Sequence, residues 1–138
     1  MKITLDTNVL VSATFWDGEA YDILNLVEQR KVSCYLSESI LQEYSRVIHS
    51  DEMIEKIDKK HLLVKSALIK IIEMCVIVDP RRSIEAVLED ADDNKILECA
   101  VEAKVDFIVS YDGHLLKIKE FEGIKIVSPK EFLKMTGT

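Results

Sequence analysis

Four carboxylates in this chain stand where chemistry would need them. Asp6 closes the apolar run KITL, and Glu43 lies early in SESILQEYSRVI. Asp93 lies early in DADDNKILECA, and Asp112 follows the apolar run FIVS by two residues. Carboxylates brought together repel one another, and their pKa values rise unless a cation compensates. Mg²⁺ is such a cation: it takes oxygen ligands, keeps several waters, and is normally held by one or two carboxylates plus substrate phosphate. An ion held this way suits phosphodiester hydrolysis, activating water and stabilising an in-line transition state. Each acid also has an ordinary explanation. Asp6 can cap a helix, Glu43 can flank an apolar face, Asp93 can be a first-turn acid favoured by the helix dipole, and Asp112-Gly113 can be a turn. The metal reading therefore depends on whether the fold brings all four to one place.

The elements that must position them are legible. Residues 2–5 read as a strand, with Ile3 and Leu5 apolar, and Ala20, Ile23, Leu24 and Val27 recur at helical spacing. Residues 31–36 read as a second strand. Ser37 or Ser39 can cap the helix that follows, and Ser39 with Gln42 suggests a capping box. That helix carries Ile40, Leu41, Tyr44, Val47 and Ile48. The polar stretch 49–60 is undecided between helix and loop. A helix over 63–74, with Val64, Leu68, Ile71 and Cys75 on one stripe, leads into CVIV, read as a buried strand stopped by Asp79-Pro80. A helix over 91–104 follows, with Asp90 or Asp92 as its cap. Residues 106–110 and 124–127 are further strands, and Gly113 marks a turn. Ser128-Pro129-Lys130-Glu131 opens the last helix as cap, first-turn proline and box acid.

Short apolar strands alternating with helices call for one α/β domain, residues 1–138. Its core is a parallel sheet of about five short strands with helices on both faces. Helices returning between parallel strands run antiparallel to them. Their first turns therefore share the strands' carboxyl edge, where open α/β sheets bind ligands. Asp6 and Asp112 end strands, and Glu43 and Asp93 sit in early helical turns, so all four converge there. Glu43 borders its helix's apolar stripe, and Asp93 shares a face with Ile96, Leu97 and Ala100.

Composition sets the outer bounds. The chain has 138 residues, enough for a core without disulfide or zinc support. Three cysteines, Cys34, Cys75 and Cys99, lack CxxC spacing and read as buried thiols. Acids outnumber bases 25 to 18, for a net charge of −7. That disfavours charge-driven nucleic-acid binding but fits acids gathered for metal. No apolar run approaches the roughly 20 residues of a membrane span. An acid at Asp6 interrupts any signal-like segment, so no membrane association and a cytoplasmic location are expected.

These motifs together resemble the PIN domain family. LDTNVLVSA with Asp6-Thr7-Asn8 looks like its opening. LQEY at Glu43, DADDNKILECA around Asp93, and IVSYDGHLL around Asp112 match its other acidic motifs in order, over residues 1 to about 130. The resemblance implies a Mg²⁺- or Mn²⁺-dependent endoribonuclease, closest to small prokaryotic toxins of the VapC type. It implies a small antitoxin partner, an RNA substrate and a homodimer. Asp6, Glu43, Asp93 and Asp112 take the metal-binding positions, with Asp93 preferred to Asp92. Asn8 and Ser110 take the supporting polar positions; the family more often has Thr where Ser110 stands, which keeps the hydroxyl. A catalytically silent RNA-binding or interaction module of the same fold is the alternative, and its usual sign, loss of an acid, is absent.

Arg46, three after Glu43, is an ion-pair partner or a phosphate contact, and the sequence does not choose. His114 reads as a turn histidine, since activated water needs no imidazole base. Trp16 reads as core or dimer packing rather than a base-stacking residue. Lys59-Lys60 and Arg81-Arg82 read as solvated surface. A phospho-receiver domain fits poorly: Pro80 follows Asp79, and IKIV ends in Ser128-Pro129 rather than Lys. An aspartate-nucleophile phosphatase would want an acid where Asn8 stands.

Overall fold

Strand β1 (Lys2–Leu5) is buried on both faces because it lies inside the sheet. Ile3 and Leu5 are fully buried on one side. On the other side, Thr4 donates its hydroxyl to the Tyr35 carbonyl at 2.5 Å and lies against Cys99. The computed structural model describes residues 1–50, 61–87 and 90–137, with the side chains of 61–66 set aside. Lys59-Lys60, most of the polar stretch, and the side chains of His61 and Val64 therefore lie outside the described residues.

β1 pairs in parallel with β2 (Ser33–Ser37) on one flank and β4 (Phe107–Val109) on the other. β3 (Val76–Val78) adds beyond β2, and β6 (Ile124–Val127) beyond β4, both in parallel. A two-residue strand β5 (Glu120–Phe121) closes that flank antiparallel to β6, giving the order β3-β2-β1-β4-β6-β5. The chain builds outward from β1 to β3, then crosses back to start again at β4. The order therefore reverses between β1 and β4, and such a switch point leaves a crevice at the strands' carboxyl ends.

Seven helices are described. α1 (Thr7–Phe15), α2 (Glu19–Glu28), α3 (Glu38–Ile48) and α4 (His61–Met74) come from the first half. α5 (Ala91–Ala103), α6 (Gly113–Ile118) and α7 (Pro129–Met135) come from the second. α5 packs across β1, β2, β3 and β4, while α1 packs against α2 and α3. The Tyr44 hydroxyl, wholly buried, lies 2.5 Å from the Thr14 hydroxyl and fastens α3 to α1. Among the described residues, no helix is long and apolar enough to cross a membrane.

The expected parallel α/β architecture is present, with differences in detail. The sheet has six strands rather than about five. β5 exists because Glu122 and Gly123 both take positive φ, the geometry of a tight two-residue hairpin turn. β3, expected to be buried, is an edge strand, with Val76 49% and Ile77 44% exposed. Gly113 opens helix α6 rather than a simple turn. Ser37, not Ser39, caps α3, accepting from the Ile40 N–H, so no box forms with Gln42. The box at Ser128 and Glu131 is present as expected. Trp16 is half exposed, edge-on to Phe15, and so is not a core residue. Arg81 and Arg82 are engaged by Glu102 and Glu122, the latter through two 2.6 Å bonds. Cys34, Cys75 and Cys99 are buried free thiols.

Candidate active site

The pairing of β1 with β4 sets Leu5 opposite Val109, so the next residues, Asp6 and Ser110, emerge side by side. Asp6 N–H donates to the Val109 carbonyl, and Asp6 carbonyl accepts from Val9 and Leu10 at the start of α1. Asp6 thus occupies the cap position of α1, but its side chain does not cap. Its Oδ2 instead accepts a 2.6 Å bond from Ser110 Oγ. The same Oγ accepts from Asp112 N–H at 2.9 Å. Ser110, fully buried, is therefore a relay that fixes both acids. Asp112 caps α6, its Oδ1 accepting from His114 N–H at 2.7 Å.

Glu43 lies in the second turn of α3. Its Oε2 accepts a 3.0 Å bond from Thr7 Oγ1, and Thr7 is only 2% exposed. Thr7 is the supporting hydroxyl that the sequence did not single out. Asn8, given that position by resemblance, is exposed, and no hydrogen bond among the described residues involves its side chain. Consecutive helical residues point about 100° apart, so α1 turns Thr7 inward and Asn8 outward. Arg46 is exposed one turn beyond Glu43 and close enough to stabilise its charge.

Asp93 is in the first turn of α5, where Asp90 caps through the Asp92 N–H. The two candidates for the third acid separate clearly here: Asp92 is exposed, while Asp93 is 3% exposed. Asp93 Oδ2 is buried without a hydrogen-bond partner. Immediately behind it, Asn94 clamps the Val87 backbone, accepting from its N–H and donating to its carbonyl, both at 2.8 Å. Glu98 accepts from the Ile84 N–H at 2.9 Å. These two buried side chains tie the segment before α5 to its inner face. Nothing in their spacing announced that role.

Electrostatics show that the acids feel one another. Burial raises the Asp93 carboxyl to about 7, helped by the charges of Asp112, Asp90 and Asp6. Burial also raises Asp6, opposed by the Ser110 bond and reinforced by the Asp112 charge. Glu43 is raised by burial, opposed by Thr7, and reinforced by the Asp92 and Asp6 charges. The arrangement is an acidic edge in conflict with itself, the condition a divalent cation relieves. Asp93, Asp112 and His114 each offer a donor atom within 4.8 Å of the others. An orphaned buried carboxylate oxygen in that trio fits a bound cation. Asp6 is near enough for its charge to raise Asp93, and Glu43 in turn feels the charges of Asp6 and Asp92.

The PIN domain family matches residues 2–114. Among solved structures, VapBC2 from Rickettsia felis, bound to a DNA fragment from its promoter, superposes with a TM-score of 0.64 at 18% identity. The likeness covers 93% of this chain and 98% of that one. FitAcB from Neisseria gonorrhoeae superposes with a TM-score of 0.55 at 17% identity, over 93% and 98% of the two chains. At these identities the likeness is one of fold. No curated protein matches.

Proposed function

The chain belongs to the PIN domain family, and from that premise we propose that it is a divalent-metal-dependent endoribonuclease, the toxin half of a toxin–antitoxin pair. The observation that carries the proposal is the buried Asp93 Oδ2, which accepts no hydrogen bond, among the other acids at the sheet's switch point. Asp6, Glu43, Asp93 and Asp112 would hold one or two Mg²⁺ or Mn²⁺ ions. A bound ion supplies an activated water and offsets charge developing on the attacked phosphate. The chain's own residues do the positioning. Ser110 holds Asp6 and Asp112 in fixed relation, and Thr7 holds Glu43. Asp93, whose carboxyl burial raises to about 7, would release its proton on holding the cation. Arg46 offers an exposed cation beside Glu43 for a substrate phosphate. Without the cation, the acidic edge repels RNA.

The likeness to VapBC2 and FitAcB, together with the family, supports a small antitoxin as partner. Such a partner would cover the acidic edge by placing a basic side chain among the carboxylates. A homodimer is part of the same proposal.

Calorimetric titration of Mn²⁺ into the wild type and Asp6→Asn, followed by structured RNA, tests the central claim. Metal binding and cleavage in the wild type, both lost in the variant, are expected. Cleavage indifferent to Asp6 would overturn the assignment. RNA binding with no metal binding would move the chain to the silent, RNA-binding reading of the same fold.

A further inference from the structure

The sequence gives His114 no task beyond a turn, and four acids suffice for the proposed reaction. Its position says otherwise. His114 Nδ1 lies 3.7 Å from Asp112 Oδ1 and 4.0 Å from Asp93 Oδ2. Both distances are too long for a hydrogen bond. Both lie within the span, at most about 4.3 Å, that two ligands about 2.1 Å from one ion can have. The gap between the imidazole and each carboxylate therefore has room for a shared cation. The Asp112 carboxylate caps α6 through the His114 N–H, which holds the His114 backbone beside that carboxylate. The second carboxylate oxygen facing it is the buried atom of Asp93 that has no partner. The Asp93 side chain is 5% exposed, whereas that of His114 is 54% exposed, so the imidazole lies on the solvent side of the pair.

We propose that His114 is a metal ligand, and that this mixed nitrogen–oxygen site selects a first-row transition ion such as Mn²⁺ or Co²⁺ over Mg²⁺. The proposal rests on the cation-binding reading above and adds to it which ion and which donor. Mg²⁺ is a hard ion that takes oxygen donors and gives up water reluctantly. An imidazole in the ligand set contributes little to its binding. Transition ions take nitrogen readily, with affinity rising along the series from Mn²⁺ through Co²⁺.

The test uses the full chain, stripped of metal by chelation, with Mn²⁺ and Mg²⁺ as the probes. Pulsed electron paramagnetic resonance of the Mn²⁺ complex should show nitrogen coupling in the wild type and none in His114→Ala. Calorimetry should show the preference for Mn²⁺ over Mg²⁺ falling roughly tenfold in His114→Asp, which restores an all-oxygen site. Because His114 is exposed, His114→Ala should unfold at the wild-type temperature, which a thermal melt checks. A Mn²⁺ complex without nitrogen coupling, or an unchanged ion preference in His114→Asp, overturns the proposal and leaves the nuclease reading to the Asp6→Asn test. Absence of any ion binding by the wild type overturns both.

Discussion

Near neutral pH, without metal, Asp93 is divided between its charged and neutral forms, because burial lifts its carboxyl to about 7 from 3.8. The folded chain then holds a proton that the unfolded chain has released. Stability therefore falls as pH rises from the ordinary carboxylate range toward 7. Asp6 and Glu43, also raised, act in the same direction. The metal-free protein should melt at a higher temperature at pH 5 than at pH 8, and Asp93→Asn should flatten most of that slope. An unchanged slope in the variant would show that Asp93 is not the group in conflict. Thr7→Val makes the complementary case. It preserves shape but takes the donor from Glu43. It should cost about 1 kcal/mol of stability and about tenfold in Mn²⁺ affinity, read by urea unfolding and calorimetry. The four acids were legible because topology alone fixes the edge on which a strand end or a first helical turn falls. Thr7 and His114 were not, since their roles depend on distances across the fold: Thr7 meets a residue 36 positions away.

Among elements, α5 has the most to position, and it does so with buried polar groups rather than apolar packing alone. Asn94 satisfies both backbone groups of Val87, and Glu98 satisfies Ile84. Asn94→Ala would strand a buried N–H and a buried carbonyl. It should destabilise the chain by about 3 kcal/mol and speed hydrogen exchange at residues 84–87 before elsewhere. Exchange rates there equal to wild type would show that the clamp is not what holds this segment. The long elements were readable from apolar periodicity and caps, as at Ser128 and Asp90. β5 was not, because two residues carry no period and the turn that makes it lies in the φ angles of Glu122 and Gly123. The exposure of β3 was hidden for a different reason. VIV reads the same inside a sheet as at its edge, and only the strand order tells which.

For the whole molecule, a cation that binds only the folded chain acts as a stabiliser. Mn²⁺ at a hundredfold excess over its dissociation constant should add about 2.7 kcal/mol. The gain should be larger at pH 8 than at pH 6, where protons compete for Asp93. A chelator should reverse it, and differential scanning calorimetry checks both points. The charge of −7 belongs to this scale as well, since the acids that dominate it are partly those gathered at one edge. The strand order has a consequence in time. β1 is made first, yet Asp6 meets Ser110 across 104 positions of chain. A ribosome translating this message holds only an incomplete acidic edge until β4 and Asp112 have emerged. An abortive product ending before them would carry Asp6, Glu43 and Asp93 without the strand that gathers them. If the finished protein cuts RNA, its own synthesis is shielded by the order in which its parts appear.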